Sequence, residues 1–458
     1  MTDTAFVLHY ETGPQTSGAR TADNKMAEAI GLAEAIGLSI IYNESVALNR
    51  ARPATLFGVG KVDEIKAQID ALQPAVVIVN GPLSPIQQRN LERAWSAKVV
   101  DRTGLILEIF GDRAQTREGR LQVELAHLSY QRSRLVRSWT HLERQRGGVG
   151  FLGGPGETQI ESDRRALADK IARLKRKLED VRRTRSLQRA NRQRAPHPVV
   201  ALVGYTNAGK STLFNRITEA GVMAENLLFA TLDPTMRAID LPTGRRVILL
   251  DTVGFISDLP TQLIAAFRAT LEEVVEADVI LHVRDIAHLE TDAQRADVLD
   301  VLRELSPNAD LSERIIEVYN KIDLLPEDER EAYALAAGAR RDAAAPILIS
   351  AAQGENLEGL IAALDDHMTA DYLIAEIEAP AECGAALAWL HSHGDVLTQT
   401  AIGDDGATLR LRIRLSEANL GRFEKQYGDV AAVRRADAPN GLVVDQHSAS
   451  STLKAARA

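Results

Sequence analysis

The chain has a single cysteine, Cys383, among its 458 residues. One cysteine excludes a disulfide framework and is too few for a cysteine-based zinc site. An uninterrupted apolar run of membrane-spanning length is missing, and the amino-terminal segment lacks the basic and then apolar pattern of a secretion signal. These absences predict a cytoplasmic protein that has no integral membrane segment.

Charge of both signs is plentiful, but its distribution is uneven. The whole chain has a net charge of −9, whereas residues 113–194 contain 21 Lys and Arg against 9 Asp and Glu, a local net of +12 that leaves −21 for the remainder. One basic, arginine-rich segment on an acidic protein favours an anionic partner, above all nucleic acid, over a merely solvated helix pair.

The order of patterns divides the chain into four predicted domains. Residues 1–112 alternate strand and helix patterns, with a buried strand at 76–79 and a helix over 84–98 that begins near Pro85. Residues 113–195 are helical and basic, residues 196–368 carry nucleotide-binding motifs, and residues 369–458 form a small α/β domain with an alternating strand at 408–415.

Apolar residues in the basic segment repeat every seven positions. The two series are Leu121, Leu128, Leu135 and Leu142, and then Ile160, Leu167, Leu174 and Val181. Such heptads on either side of a short connector predict an antiparallel coiled-coil hairpin. The connector, residues 147–156, contains six glycines around Phe151 and Leu152. It is either a flexible turn or a tip that approaches another backbone closely, and the central apolar pair favours a tip.

The most specific motif runs from Gly204 to Ser211 and reads Gly-Tyr-Thr-Asn-Ala-Gly-Lys-Ser. It follows an apolar strand and precedes a helical pattern, which is the context that a phosphate-binding P-loop requires. The two glycines let backbone N–H groups converge on phosphate oxygens, Lys210 reaches the β- and γ-phosphates, and Ser211 offers a hydroxyl to Mg²⁺. The motif predicts a nucleoside triphosphate as ligand.

Two further elements follow in the order that a nucleotide-dependent switch requires. Asp251-Thr-Val-Gly254 ends an apolar strand; Asp251 can hold a Mg²⁺-bound water, and the Gly254 amide can donate to the γ-phosphate. Thr231 lies on a segment that can close over Mg²⁺ and the γ-phosphate, with Thr235 as the competing choice. Departure of the γ-phosphate releases both elements, which is the physical basis of a switch.

The Asn320-Lys-Ile-Asp323 segment, after an apolar strand at 315–319, predicts guanine as the base. An ionised Asp323 carboxylate accepts from guanine N1–H and the exocyclic amine, whereas adenine has no donor at either place. Asn320 steadies the loop, the Lys321 stem lies along the ring, and the backbone at Ser350-Ala351 meets guanine O6.

One residue affects the expected rate of hydrolysis. Many GTPases place a glutamine after the glycine of the Asp251–Gly254 motif, where it orients the attacking water. Here that residue is Phe255, which forms no hydrogen bond through its side chain. We expect slow intrinsic hydrolysis that a partner stimulates.

Together the motifs predict a multidomain α/β GTPase. A P-loop GTPase domain with a mixed, mostly parallel sheet follows an α/β N-terminal domain and the helical hairpin, and precedes a small α/β C-terminal domain. Lys210, Thr231 and Gly254 are the predicted catalytic residues. The predicted GTP-binding residues are Gly204, Tyr205, Thr206, Asn207, Ala208, Gly209, Lys210, Ser211, Phe229, Ala230, Thr231, Leu232, Asp233, Asp251, Thr252, Val253, Gly254, Asn320, Lys321, Ile322, Asp323, Ser350, Ala351 and Ala352.

The chain resembles the HflX family of ribosome-associated GTPases over nearly its whole length. Segments at 58–65, 83–91, 101–110, 154–165 and 228–235 carry the resemblance, and the last two are highly specific. In one departure, Gly153 and Gly154 stand where the family has an arginine before Gly-Pro-Gly.

The resemblance implies binding to the large ribosomal subunit, with the hairpin tip near the peptidyl-transferase region, and rescue or splitting of stalled ribosomes under stress. It also implies Mg²⁺ held by Ser211 and Thr231. The hairpin, as an insertion arm, favours a monomer, and we expect a cytoplasmic protein found in part on ribosomes or membranes. The alternatives are an RNA-binding accessory GTPase in tRNA modification or ribosome assembly, and a GTP-dependent scaffold whose coiled coil pairs with a protein.

Overall fold

The computed structural model describes residues 3–12, 20–143, 155–192, 197–220, 228–229, 231–258, 271, 273–306, 311–339, 345–369, 372–402 and 407–436. By its contacts the chain forms two compact units, residues 1–193 with 197–362 and residues 194–196 with 363–458. None of the helices in the described ranges combines the length and apolar character needed to cross a bilayer.

The first unit begins with four parallel strands separated by helices. The elements are β1 (Thr4–Thr12), α1 (Ala22–Glu34), β2 (Ser39–Leu48), α2 (Val59–Leu72), β3 (Val76–Asn80), α3 (Pro85–Trp95), β4 (Lys98–Asp101) and α4 (Arg102–Arg113). The sheet order is β2-β1-β3-β4. Every residue of β3 is buried, because helices cover both faces of a parallel sheet. Pro85 stands in the first turn of α3, as the sequence pattern predicts, and Ser84 caps the helix in a capping box. The helix ends at Trp95, before the predicted end at 98, because Lys98 already opens β4.

Two long helices follow, α5 (Arg117–Glu143) and α6 (Pro155–Arg192). Glu124 pairs with Lys170 at 2.8 Å, and Leu128 packs in one cluster with Ile171 and Leu174. These contacts lie at similar distances along the chain from the connection, so the helices form an antiparallel hairpin, as the heptads predict. The predicted tip lies outside the described residues except for the backbone of Pro155 and Gly156, as do the side chains of the outer heptad positions.

A six-stranded sheet completes the first unit. Its elements are β5 (Val199–Val203), α7 (Lys210–Thr218), β6 (Thr235–Asp240), β7 (Arg246–Asp251), β8 (Val279–Asp285), α8 (Thr291–Leu305), β9 (Ile315–Asn320), α9 (Glu327–Ala339), β10 (Ile347–Leu348) and the first part of α10 (Leu357–Thr369), a helix within which the division between the two units falls. The order is β10-β9-β8-β5-β7-β6, and only β6 runs antiparallel to its neighbour. The predicted mixed, mostly parallel sheet is confirmed.

One hydrophobic core joins these parts of the first unit. It contains Leu32 of α1, Phe110 of α4, Val123 of α5 and Val203 of β5, together with Phe229 from the segment between α7 and β6. The N-terminal sheet, the base of the hairpin and the six-stranded sheet therefore bury apolar surface against one another.

The second unit is a four-stranded antiparallel sheet with two helices. Its elements are β11 (Tyr372–Pro380), α11 (Gly384–His393), β12 (Asp395–Ile402), β13 (Thr408–Ser416), α12 (Glu417–Tyr427) and β14 (Ala432–Ala436), in the sheet order β12-β13-β11-β14. This βαββαβ succession is the ferredoxin-like arrangement. Its core includes Ile377, Leu390, Ile413 and Phe423.

We expect Ile171→Ala to destabilise the hairpin by about 2–5 kcal/mol, because a buried side chain is replaced by a cavity. Ile171 is only 3% exposed in the α5–α6 cluster. Hydrogen exchange of the α5 and α6 amides measures the effect. Leu335→Ala, at a residue that is 75% exposed on α9, is the control and should change stability by less than about 0.5 kcal/mol. Equal protection in the two variants would contradict the packing described.

Candidate functional site

The P-loop leaves the carboxyl end of β5, and close packing dictates its two outer glycines. Gly204 has φ +152°, and a Cβ there would overlap the carbonyl oxygen of Val283 on β8. Gly209 has φ +92°, and a Cβ there would overlap the side-chain amide of Asn320. The loop is thus held between two neighbouring strands, and it delivers Lys210 and Ser211 to the first turn of α7.

Lys210 is almost completely buried, with 5% exposure. Its Nζ donates to the carbonyl oxygens of Gly204 at 3.1 Å and Tyr205 at 2.8 Å. Burial lowers the pKa of Lys210 to about 8, while the nearby Asp251 carboxylate acts in the opposite direction. The ammonium is poorly solvated, and a phosphate group would supply the missing negative charge.

Three oxygen-bearing side chains from three elements converge beside Lys210. The Ser211 Oγ lies 2.8 Å from the Thr231 Oγ1 and donates to Asp251 Oδ2 at 2.8 Å, and the Thr231 hydroxyl donates to the same Asp251 oxygen at 3.2 Å. Asp251 is fully buried, and its Oδ1 has no hydrogen-bond partner within the described residues. Burial raises the Asp251 pKa, against the effect of Lys210.

This set of hydroxyl and carboxylate oxygens fits Mg²⁺, which prefers hard oxygen ligands. Of the two threonines considered from sequence, Thr231 has the hydroxyl that meets Ser211 and Asp251. Thr235 instead opens β6, where its backbone lies opposite Asp251. In the described part of the chain, no group of three or more His, Cys, Asp or Glu forms another candidate metal site.

Asn320, at the end of β9, ties three loops together. Its Nδ2 donates to the Ala208 carbonyl at 2.8 Å, and its Oδ1 accepts from the Ala351 N–H at 2.9 Å. The next residue, Lys321, is in the left-handed region with φ 67°, and its Nζ pairs with Asp285 at 2.8 Å. Sequence reasoning missed Asp285, although it ends β8 directly opposite Asn320 and strand order could have indicated it.

The side chain of Asp323 lies in a 3₁₀ turn, Ile322–Leu324, and its Oδ1 is buried without a partner among the described residues. An unpaired buried carboxylate oxygen calls for a donor, which the edge of guanine provides. Ser350 is completely buried, and Arg216 of α7 donates to the Ala352 carbonyl at 2.6 Å. The loop after β10 is therefore fastened to the P-loop helix.

The segment after β7 packs against the P-loop. A Cβ on Gly254 would lie 2.9 Å from the Thr206 Cα and 3.1 Å from the Lys210 Nζ. Phe255 donates its N–H to the Gly204 carbonyl at 3.1 Å and accepts from the Thr206 N–H at 2.7 Å, and its side chain is buried in the core with 2% exposure. Phe255 therefore supports the loop from the inside and presents no polar group to a water.

Two other predicted GTP-binding residues between α7 and β6, Phe229 and Asp233, contact α4 and the start of α5. Ala230 lies outside the described residues. The Phe229 ring packs edge-on against Phe110 of α4, with ring centroids 4.8 Å apart. The Asp233 carboxylate accepts from the N–H groups of Gln115 and Thr116, at 2.9 and 2.8 Å, and from the Thr116 hydroxyl at 2.5 Å. Asp233 thus contacts the start of α5, and we call residues 115–120 the hairpin root.

Sequence reasoning also missed a polar contact between the N-terminal sheet and the P-loop. Glu28 on α1 accepts from the Tyr205 hydroxyl, from the Ser257 hydroxyl at 2.7 Å and from Arg102 at 2.5 Å. Burial alone would raise the Glu28 pKa, but Arg102, Tyr205, Ser257 and Arg20 together lower it. A sequence separation of 177 residues between Glu28 and Tyr205 hides this contact from any local pattern.

The described part of the hairpin has an exposed basic surface. Its exposed side chains include Arg117, Arg120, Arg132, Arg164, Arg165, Lys170, Arg173, Lys175, Arg176, Lys177 and Arg183. Among them, Lys170 pairs with Glu124 and Arg165 with Glu161. A surface of this kind suits a phosphate backbone.

Three family models match consecutive parts of the chain. Residues 23–111 match the N-terminal region of a GTP-binding GTPase, residues 113–192 match its middle region, and residues 199–321 match a 50S ribosome-binding GTPase.

Several relatives with similar sequences are named GTPase HflX. The GTPase HflX of Magnetococcus marinus is 52% identical over 400 residues, covering 87% of this chain and 89% of the relative. The GTPase HflX of Escherichia coli is 51% identical over 277 residues, covering 60% and 64%. A crystal structure of SsGBP in complex with GDP aligns with 80% of this chain and 98% of its own, at 25% identity and a TM-score of 0.46.

We expect GDP affinity to fall as the pH rises above about 8. The pKa of Lys210 is about 8 here, and a bound phosphate raises it, so binding above that pH takes up a proton. The favourable contribution of the Lys210 ammonium to GDP binding is complete below about pH 8. It is lost as the pH approaches the higher pKa that Lys210 has in the complex.

Titration calorimetry with GDP at about pH 7 and about pH 8.5, in buffers of different ionisation enthalpy, measures affinity and proton uptake together. Lys210→Arg keeps its charge throughout, so any binding it retains should involve no proton uptake. Wild-type binding without proton uptake at the higher pH would contradict the assignment.

Proposed function

Because this chain belongs to the HflX family of GTPases, we propose that it binds GTP at the carboxyl edge of the six-stranded sheet and that the nucleotide state controls its residence on the large ribosomal subunit. The protein is a GTPase by family. One observation carries the proposal. The P-loop, the oxygen atoms of Ser211, Thr231 and Asp251, and the unpaired Asp323 carboxylate oxygen meet at one edge of the sheet.

In this proposal the phosphates lie against the first turn of α7, with Lys210 at the β- and γ-phosphates and the Gly254 amide at the γ-phosphate. Ser211 and Thr231 would hold Mg²⁺, and Asp251 would hold a water bound to it. The ion held there would supply positive charge to the phosphate oxygens. The buried, unpaired Asp251 Oδ1 supports this arrangement.

The base lies between the β9 and β10 loops. Asp323 accepts from guanine, and Asp285 fixes the Lys321 ammonium so that the lysine stem lies along the ring. Asn320 keeps the two loops and the P-loop at a constant spacing. An adenine would leave the Asp323 carboxylate buried and unpaired, which costs on the order of 1–3 kcal/mol.

Hydrolysis by the protein alone should be slow, because the buried Phe255 side chain cannot orient water. A partner that contributes or positions a polar group then sets the turnover rate. The exposed basic hairpin supports ribosomal RNA as that partner, recognised through its backbone and shape. In the cell we place the protein in the cytoplasm as a monomer that rescues or splits stalled ribosomes under stress.

The Asp323→Asn variant should lose guanine preference and accept xanthine nucleotides, because an amide donates where the carboxylate only accepts. Affinities for GDP and xanthosine diphosphate, measured with the wild type and the variant, test the change. Asp328→Asn, at an exposed residue nearby, is the matched control and should bind GDP normally. Unchanged GDP affinity in Asp323→Asn would show that another group reads the base.

Co-sedimentation with purified ribosomal subunits tests the partner. We expect retention on the large subunit with a non-hydrolysable GTP analogue and little retention with GDP. Reversing two exposed charges on α6, Lys175→Glu with Arg176→Glu, should weaken retention about tenfold or more, because phosphate contacts are lost.

The control is the same charge change in the second unit, Arg422→Glu with Lys425→Glu, at exposed positions of α12. Equal loss in both double variants would mean that net charge, and not the hairpin surface, governs binding. Absence of wild-type retention on either subunit, with capture of tRNA instead, would overturn the ribosomal proposal in favour of an RNA-modification accessory.

A further inference from the structure

The segment that carries Thr231 has two faces with different partners. The Thr231 hydroxyl points to Ser211 and Asp251 at the proposed magnesium site. Two residues later, the Asp233 carboxylate binds the hairpin root. One short stretch of chain therefore touches both the nucleotide site and the base of the hairpin.

The contact at the hairpin root is a helix cap supplied from outside the helix. Thr116 lies directly before α5 and accepts from the Gly119 N–H at 2.9 Å, and Asp233 accepts from the N–H of Thr116 and of the residue before it. A carboxylate is favourable at this position, because the first amides of a helix are unpaired and carry partial positive charge. Asp233 therefore stabilises the start of the hairpin.

Gly119 allows the Asp233 carboxylate to approach the backbone of α5 closely. A Cβ at residue 119 would overlap the Asp233 Oδ1 and lie 3.3 Å from its Cγ. Glycine within a helix costs about 1 kcal/mol relative to alanine. Its presence here gives Asp233 the space that any larger residue would fill.

Apolar contacts hold the same segment against the same helices. Leu232 and Phe229 are 3% and 2% exposed, and they share a core with Phe110, Ala114 and Val123. The segment is thus attached to the α4–α5 corner on both sides of Thr231.

Chain geometry turns this attachment into a constraint on Thr231. The Cα atoms of residues 231 and 233 are at most about 7 Å apart, since each residue spans about 3.3–3.6 Å when extended. While Asp233 remains on the hairpin root, Thr231 has little room to leave Ser211 and Asp251. Release of one contact therefore favours release of the other.

We propose that Asp233 is a positioning residue through which the hairpin root sets the position of Thr231 at the magnesium site. The inference rests on the proposed function, since it takes Thr231 as a magnesium ligand in the GTP state. GTP, which needs Thr231 in place, strengthens the cap, and a strengthened cap raises GTP affinity by the same factor. GDP, which lacks the γ-phosphate, is not coupled in this way.

The discriminating variant is Gly119→Ala. It improves intrinsic helix propensity but displaces the Asp233 carboxylate by overlap. We expect affinity for a non-hydrolysable GTP analogue with Mg²⁺ to fall about fivefold or more, while GDP affinity stays within about twofold of wild type. Gly111→Ala is the matched control, because a Cβ there meets nothing within 4 Å, and it should leave both affinities unchanged.

A second variant removes the Thr116 hydroxyl, which both donates to Asp233 and accepts from the Gly119 N–H, with little change in volume. Thr116→Val deletes the hydroxyl that donates to Asp233 and should lower the analogue affinity in the same direction, and Asp233→Ala should lower it further. Ser416→Ala removes an N-cap in the second unit and should change neither affinity. Wild-type ratios of analogue to GDP affinity in both Gly119→Ala and Thr116→Val would overturn the proposal and leave Asp233 as a structural cap only.

Hydrogen exchange gives the reciprocal measurement. Amides of the hairpin root should exchange more slowly with the GTP analogue than with GDP, and Thr231→Ala should abolish that difference. If the wild type binds the analogue in a Mg²⁺-dependent way but the hairpin root exchanges equally with both nucleotides, the coupling is wrong and the proposed function stands. If the wild type does not bind guanine nucleotides, the proposed function itself fails.

Discussion

The carboxylate of Asp251 is the point on which the arrangement of this protein depends. It is fully buried at the end of β7, and it accepts hydrogen bonds from the P-loop helix through Ser211 and from the segment before β6 through Thr231. A buried charge must be paired, so these hydroxyls and the nearby Lys210 ammonium are drawn to one place. The site exists because a single desolvated charge collects its partners from separate loops.

From that point the contacts spread outwards through the first unit. Thr231 leads to Asp233 and the hairpin root, and the P-loop leads through Tyr205 to Glu28 on α1. The hairpin root and α1 are therefore joined by hydrogen bonds to the segments that form the candidate nucleotide site.

Sequence reasoning succeeded where the signal is local. The helix that begins at Pro85, the heptads around Leu128 and the strand before Gly204 all depend on neighbours within a few residues, so pattern and structure agree. Sequence reasoning did not identify the partner of a side chain that could bind several different groups. Asp233 is itself among the predicted GTP-binding residues, and its carboxylate binds the start of the hairpin 117 residues earlier in the chain.

The sequence by itself determined the chemistry of this protein. Residue types and spacing predicted the P-loop, the guanine-reading motif, the missing water-positioning side chain at Phe255 and the basic heptad helices. Only the tertiary structure brought the Thr231 hydroxyl to Ser211 and Asp251, buried the Phe255 side chain, and joined Asp233 to the hairpin and Glu28 to Tyr205. The physical reason is that hydrogen bonds and burial depend on which distant segments meet, and a one-dimensional pattern contains no direct information on that meeting.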